Sequence, residues 1–402
     1  MQKLRDLKDA HLIKVVTGLR RAGKSTLLEM FADEIRLKTP DASILFLNFE
    51  NPDIFTIGDW KQIYDYVKVR LVADRMNYVF LDEIQNIPTF ERLVDGLFIK
   101  KNVDLYITGS NSQLLSGELA TLLTGRYVET EILPFSFAEW VESYENSPKL
   151  TKNASLANFL QNGAIPQAVT LSMSTGNNNV ADSFVQGVLN TIVEKDIFKR
   201  HGINNKTAFY KILDFVFDSV GSILSPRSIS DTLRSNNIVV DKLTVTNYLN
   251  YLTEAFILYK VPRYDVKGKR LLQTLDKYYL ADTSFRRIRL GKKTAEDRGH
   301  LLENVVYLEL RRRYNEVYVG KTRNNEIDFV ASDSGGYVSY YQVAYSVLDE
   351  KTLKRELTPL KEIRDSNPKF LLSADEDINP VFDGIRKLNV VDWLLGRTNK
   401  VE

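Results

Sequence analysis

Gly18-Leu19-Arg20-Arg21-Ala22-Gly23-Lys24-Ser25 matches GxxxxGK[ST] at every defined position. The glycines allow a tight loop whose backbone N–H groups wrap a β-phosphate. Lys24 then reaches the β- and γ-phosphates, and the Ser25 hydroxyl is a Mg²⁺ ligand. Such a loop demands a strand before it and a helix after it, and both are legible. His11 to Thr17 (HLIKVVT) is a short apolar run, and from Thr26 onward Leu27, Leu28, Phe31, Ala32 and Ile35 form one helical stripe. A helix opening at the loop adds its own partial positive charge to hold an anion.

Working outward, Ser43 to Phe49 (SILFLNF), Tyr78 to Leu81 (YVFL) and Val103 to Thr108 (VDLYIT) read as further buried strands separated by helical stretches. That alternation predicts a mostly parallel sheet with helices on both faces. Tyr78-Val79-Phe80-Leu81-Asp82-Glu83 is an apolar strand ending in two acids, the shape of a Walker B strand. Asp82 is expected to hold Mg²⁺ through water, and Glu83 to orient and activate an attacking water. A third strand ends in Thr108-Gly109-Ser110-Asn111-Ser112. There Asn111 is assigned to sit between the acid and a γ-phosphate, with Ser110 as the second choice. Arg126, in Leu123-Thr124-Gly125-Arg126, could stabilise charge in phosphoryl transfer in its own or a neighbouring subunit; an ion-paired surface arginine is an equal reading. Arg20 and Arg21 read better as solvated than as phosphate contacts. No NKxD-like element reads a guanine, so ATP is the default nucleotide.

The chain has 402 residues, 54 basic against 52 acidic, no cysteine and three histidines (His11, His201, His300). These counts exclude a disulfide scaffold, a thiol nucleophile, a thiolate zinc site and a multi-histidine metal site. No window approaches the roughly 20 apolar residues needed to span a bilayer, and the N-terminus lacks a signal-peptide core, so a cytoplasmic multidomain protein is expected. Residues 1–142 read as the nucleotide-binding core and 143–205 as a helical lid. Residues 206–292 have a helix, turn, helix and hairpin order, the layout of a winged helix. There Thr244, Asn247, Tyr248 and Tyr251 are expected to face outward, and the hairpin runs Ile257–Arg263 to Leu271–Leu280 with Lys267, Lys269 and Arg270 at its tip. Residues 293–402 follow an αβββαβα order, with the first helix at about Glu296 to Arg313. Between Lys260 and Arg323 there are 17 basic and 8 acidic residues, enough to suggest DNA backbone contact with salt-dependent affinity.

Taken in order, the stretches at 18–28 (GLRRAGKSTLL), 81–91 (LDEIQNIPTFE), 107–140 (ITGSNSQLLSGELATLLTGRYVETEILPFSFAEW), 193–200 (VEKDIFKR), 299–313 (GHLLENVVYLELRRR) and 326–331 (EIDFVA) resemble a large prokaryotic family. Its members are AAA-like P-loop ATPases carrying a C-terminal domain of unknown function. The resemblance spans nearly the full chain. It implies an α/β fold: a P-loop NTPase (AAA-like) parallel sheet core with a helical lid, a winged-helix domain and a C-terminal PD-(D/E)xK-like α/β domain. In a PD-(D/E)xK site two or three carboxylates bind Mg²⁺ and a lysine positions the water. Glu303 and Asp328 match the first two ligand positions. Gln342 takes the third and Ala344 the lysine position, so the site is expected to be degenerate and cleavage lost. A lysine such as Lys321 or Lys351 could migrate into it, and the plain alternative is that Glu303 and Asp328 are structural acids. The function expected is Mg²⁺-dependent ATP hydrolysis coupled to the C-terminal modules, with a homo-oligomer and an unidentified protein client as partners. The alternatives are a DNA-binding ATPase, a metal-dependent nuclease and a nucleotide-binding scaffold with negligible hydrolysis.

Overall fold

The computed structural model describes residues 1–112, 125–144, 151–272, 275–291, 297–376 and 381–397. Residues 113–124, with Leu123 and Thr124, lie outside the described residues, as do Lys292, Lys293 and Glu296. Two compact units are present: Met1–Leu133 with Glu254–Phe256, and Pro134–Thr253 with Ile257–Glu402.

In the first unit, strands β1 (Ile13–Gly18), β2 (Ser43–Asn48), β3 (Asn77–Asp82), β4 (Val103–Thr108) and β5 (Tyr127–Ile132) form one sheet in the order β2-β3-β4-β1-β5. Every pairing is parallel. Because successive side chains on a strand point to opposite faces, each strand feeds two cores. Val15, Val79, Leu81, Leu105 and Ile107 pack with Ile63, Val67, Leu93 and Leu97 of the helices Trp60–Lys68 and Phe90–Phe98. Val16, Tyr78, Phe80 and Tyr106 pack with Leu28, Phe31, Ala32 and Ile35 of the helix Lys24–Lys38. The predicted sheet with helices on both faces is what forms. Burying each such side chain contributes about 1.5–3 kcal/mol, so the strands are held by their own apolar runs.

The second unit begins with helices at Phe137–Ser143, Lys152–Asn162, Pro166–Thr175 and Asn178–Thr191, the last running into a π-helical turn at Ile192–Phe198. Helices Lys206–Asp218, Pro226–Ser235 and Lys242–Glu254 follow. They accompany a three-stranded antiparallel sheet of β6 (Ile223–Leu224), β7 (Leu258–Val261) and β10 (Asp276–Leu280), ordered β6-β10-β7. The Pro226–Ser235 helix starts on a capping box, Ser225 with Ser228, and places Pro226 in its first turn.

The single hairpin expected after these helices is bent into two. Its base, β7 with β10, stays in the three-stranded sheet. Its tip, β8 (Arg263–Asp265) with β9 (Arg270–Leu271), joins an eight-stranded sheet through parallel pairing of β8 with β11 (Glu316–Lys321). Pro262 lies at the bend and has no N–H to continue the ladder. The rest of that sheet is β12 (Glu326–Ser332), β13 (Val338–Val343), β14 (Lys369–Ser373), β15 (Val381–Phe382) and β16 (Ile385–Asn389), in the order β15-β16-β14-β13-β12-β11-β8-β9. Helices Arg298–Arg313, Glu350–Lys361 and Val390–Leu394 complete this part. The short strands β15 and β16 were not read from the sequence. Among the described residues no helix is long and apolar enough to cross a membrane.

Candidate functional site

The loop after β1 has the backbone that its glycines predict. Gly18 has φ +136°, Arg21 +68° and Gly23 +98°. At Gly18 a Cβ would stand 2.2 Å from the carbonyl oxygen of Ile132 on the adjacent strand β5, so glycine is required there on contact grounds as well. Gly23 caps the helix that begins at Lys24, aiming unsatisfied N–H groups into the loop. Leu19 and Ala22 are buried and anchor it. Arg20 pairs with Glu50 at 2.9 Å, which favours the reading of a surface side chain. Thr26 follows in the helix's first turn.

Lys24 is 3% exposed, and its ammonium lies on the loop's own carbonyls, 3.1 Å from both Gly18 O and Leu19 O, with the Glu83 carboxylate 3.8 Å away. The Ser25 hydroxyl donates to Asp82 Oδ1 at 3.0 Å. The hydroxyl, the acid, the cation and the second acid named from the sequence therefore meet at the carboxyl ends of β1 and β3. Oxygen donors from Ser25 and Asp82 beside a loop of N–H groups fit a hard divalent ion carried by phosphate oxygens.

Two further residues complete this centre. Thr108, the last residue of β4, donates from Oγ1 to Asp82 Oδ1 at 2.6 Å and accepts the Glu83 backbone N–H at 2.8 Å. Asn48, the last residue of β2, donates from Nδ2 to Asp82 Oδ2 at 2.9 Å. The sequence reading passed over both. The signal was there in each strand ending on a polar residue, in register with the Asp82 strand. Asn111 and Ser110, chosen for the strand-tip role, are both buried just beyond Thr108. Burial pushes the Asp82 carboxyl above its ordinary value, opposed by the Thr108 and Ser25 hydrogen bonds and reinforced by Glu83. Glu83 sits at φ +53°, a costly conformation for a non-glycine residue, and Gln85 donates to its carboxylate.

Arg126 is not part of this centre. It precedes β5, whose Tyr127 pairs with Ile13 while Ile132 pairs with Gly18, so it flanks the opposite end of the sheet. Six steps along the strand separate it from the loop, roughly 20 Å. Its guanidinium pairs with Asp95 at 2.9 Å and lies over Phe98. A role in its own subunit's loop is ruled out by that distance.

In the second unit, Glu303, Asp328 and Gln342 do converge, on the Arg298–Arg313 helix, β12 and β13, and all three are buried. The cation that reaches them is Lys277 on β10, rather than Lys321 or Lys351. Its Nζ is 2.9 Å from Glu303 Oε1 and 2.7 Å from Glu326 Oε1. Burial alone would lower the Lys277 pKa, but Glu303, Asp328 and Glu326 outweigh it and raise it. Burial, then the charge of Glu303, raises the Asp328 carboxyl well above the usual range. Ala344 donates its N–H to Leu372 O and supplies no side-chain chemistry.

Eight of the segment's 17 basic residues are buried or paired within the fold. Arg263, Lys277 and Arg286 are buried. Arg287 pairs with Asp182, Arg289 with Asp214, Lys260 with Asp276, and Arg312 and Arg313 with Glu309. Lys267, Lys269 and Arg270 remain exposed on the β8–β9 tip. The expectation that Tyr248 and Tyr251 face outward fails: Tyr248 is buried against Phe209, and Tyr251 stacks on His201 with centroids 3.6 Å apart. Thr244 instead donates to Asp241, closing the start of its helix.

Residues 10–141 match a family described as an AAA domain, and residues 153–296 match a domain of unknown function (DUF8612). The chain is 35% identical to an uncharacterized protein of Haemophilus influenzae over 98% of its own length and 97% of that protein's. It is 27% identical to the uncharacterized protein MJ1544 of Methanocaldococcus jannaschii, over 94% and 85% of the two lengths. Its fold is similar to that of the Walker-type ATPase PABY2304 of Pyrococcus abyssi, with a TM-score of 0.50 at 14% identity, covering 72% of this chain and 94% of that one. The protein carries an AAA domain and belongs to the same family as the Haemophilus influenzae protein.

Proposed function

We propose that the chain binds Mg·ATP in the Gly18–Ser25 loop and hydrolyses it. The observation that carries this reading is the Ser25–Asp82 hydrogen bond beside the buried Lys24 and Glu83, a set in which each residue has a phosphoryl-transfer role. Gly18, Gly23 and the helix N-terminus hold the β-phosphate. Lys24 exchanges its loop carbonyls for phosphate oxygens. Ser25 and Asp82 hold the magnesium ion, which supplies positive charge opposite the developing phosphate charge. Glu83, kept in reach by its strained backbone and by Gln85, accepts the proton of the attacking water. Thr108 and Asn48 fix the Asp82 carboxylate so that Glu83 remains the base.

The three helices with the β6-β10-β7 sheet support a winged-helix module, and the Glu303–Asp328–Gln342 convergence supports a nuclease-like fold that has lost cleavage. Arg126 fits donation to a neighbouring copy in a homo-oligomer. DNA contact is a second reading, favoured only by the exposed Lys267, Lys269 and Arg270; loss of low-salt duplex retention when all three are changed to glutamate would support it.

The central test is Mg²⁺-dependent ATP turnover. Lys24→Ala should lose binding and turnover together. Glu83→Gln should keep binding while turnover falls by about 100-fold or more. Undiminished turnover in both variants refutes the proposal, and tight ATP binding by the wild type without hydrolysis leaves the scaffold reading.

A further inference from the structure

The family resemblance implies a divalent ion held by Glu303, Asp328 and the side chain at 342. The donor set does not fit one. A magnesium site needs oxygen ligands with free lone pairs in near-octahedral array at about 2.0–2.1 Å. Here Glu303 Oε1 accepts from both Lys277 Nζ, at 2.9 Å, and Tyr279 OH, at 2.6 Å. Asp328 Oδ2 accepts the Val343 N–H at 2.8 Å. Gln342 brings no negative charge; its Nε2 donates to Glu356 Oε2 at 2.8 Å, and its carbonyl oxygen faces the Asp328 N–H at 3.4 Å. Glu356 in turn is held by Arg355. Among the described residues no group of three or more His, Asp or Glu side chains is placed to hold a metal ion.

The carboxylates are nevertheless not left uncompensated. The Lys277 side chain is 5% exposed and pairs with Glu303 at 2.9 Å and with Glu326, two residues before Asp328 on β12, at 2.7 Å. It comes from β10, a strand of the three-stranded sheet, whereas the position where the resemblance places a lysine is the alanine that follows β13. We propose that the Lys277 ammonium is the permanent counter-ion of this cluster, standing where a divalent cation would be needed and closing the site to one. A metal ion would have to compete for Glu303 Oε1 with a cation already bonded to it, and like charges so close in a buried site repel strongly. The same ammonium pins β10 to the Arg298–Arg313 helix and to β12. Asn304 reinforces this by bonding both backbone groups of Leu280, accepting its N–H at 2.7 Å and donating to its carbonyl at 2.9 Å.

The test uses the full chain without nucleotide and Mn²⁺ as the probe, followed by calorimetry and electron paramagnetic resonance. Because Asp82 can also take Mn²⁺, stoichiometry is compared in the Asp82→Asn background with and without Asp328→Asn. No difference is expected; the loss of one bound Mn²⁺ on adding Asp328→Asn overturns the proposal. Lys277→Met should lower Tm by about 10 °C at neutral pH, the size expected for stranding a buried carboxylate cluster. Glu303→Gln added to it should recover most of that loss. Should Lys277→Met alone fail to fold, the double variant is compared with Glu303→Gln alone. Melting within a few degrees of each other supports charge compensation. A double variant that stays unfolded, or a Lys277→Met protein as stable as the wild type, overturns it.

Discussion

Thr108→Val tests the nucleotide centre without touching any group that would contact phosphate. Valine has nearly the shape of threonine, and residue 108 is fully buried, so the change removes a hydroxyl and little else. Two bonds go with it. One is the 2.6 Å donation to the Asp82 carboxylate, a charge-assisted bond of about 1.5–3 kcal/mol. The other is the acceptor for the Glu83 N–H, whose desolvation then costs about 1–3 kcal/mol. Together the loss should be about 3–5 kcal/mol, or about 10–15 °C in the melting temperature of the unit carrying the parallel sheet. The pH dependence has a definite sign. Burial has already raised the Asp82 pKa, so relative to the ionised state its protonated form stabilises the fold at low pH, and that stability is lost as pH rises through the folded-state value. Removing a donor to the charged form raises this value further. The Thr108→Val defect should therefore be larger at pH 7.5 than at pH 5. Calorimetric melts at both pH values, with ATP turnover measured alongside, check it, and Thr108→Ser should restore most of both. A Thr108→Val protein that melts within a degree or two of wild type and hydrolyses ATP normally would show that the hydroxyl does not organise Asp82.

Gly18→Ala forces a methyl onto the Ile132 carbonyl at a φ of +136°, and soluble yield and nucleotide binding should both collapse; a well-folded alanine variant that binds nucleotide contradicts the loop geometry. Lys14 is buried beside Asp104, and Lys14→Met should cost about 3–5 kcal/mol in a urea melt, with Asp104→Asn added to it restoring part because the amide still accepts from Tyr106. Arg126→Ala should leave nucleotide affinity unchanged in dilute protein and reduce turnover only at concentrations where copies associate; weakened affinity in the dilute protein would contradict its position at the far end of β5.

What the sequence made legible was what lies contiguous along the chain. The loop at 18–25, the acids at 82 and 83 and the strand runs are each local patterns, and the sheet formed from them as expected. What escaped were partners brought together only by register. Asn48 and Thr108 end strands on either side of β3; each is a polar residue closing an apolar run, but only the pairing of the strands brings it to Asp82. Lys277 lies on β10, 26 residues before Glu303 and further still from Glu326, the two acids it pairs with, so its arrival could not be read from the spacing around Ala344. The basic count between Lys260 and Arg323 misled for a related reason: composition records charges and not their partners, and Asp182 and Asp214, which lie outside that window, neutralise part of it. The hairpin bend, by contrast, had a visible cause in Pro262.

That bend has a consequence for any attempt to dissect the chain. One covalent segment, Leu258 to Leu280, lends its base to one sheet and its tip to another. A fragment stopped soon after Leu280 would keep β8 and β9 but lose β11, leaving bare backbone edges ready to recruit strands from other molecules. It would also strand Lys277 without its acids. Truncations there should aggregate, because the two sheets are closed by strands of one and the same covalent segment.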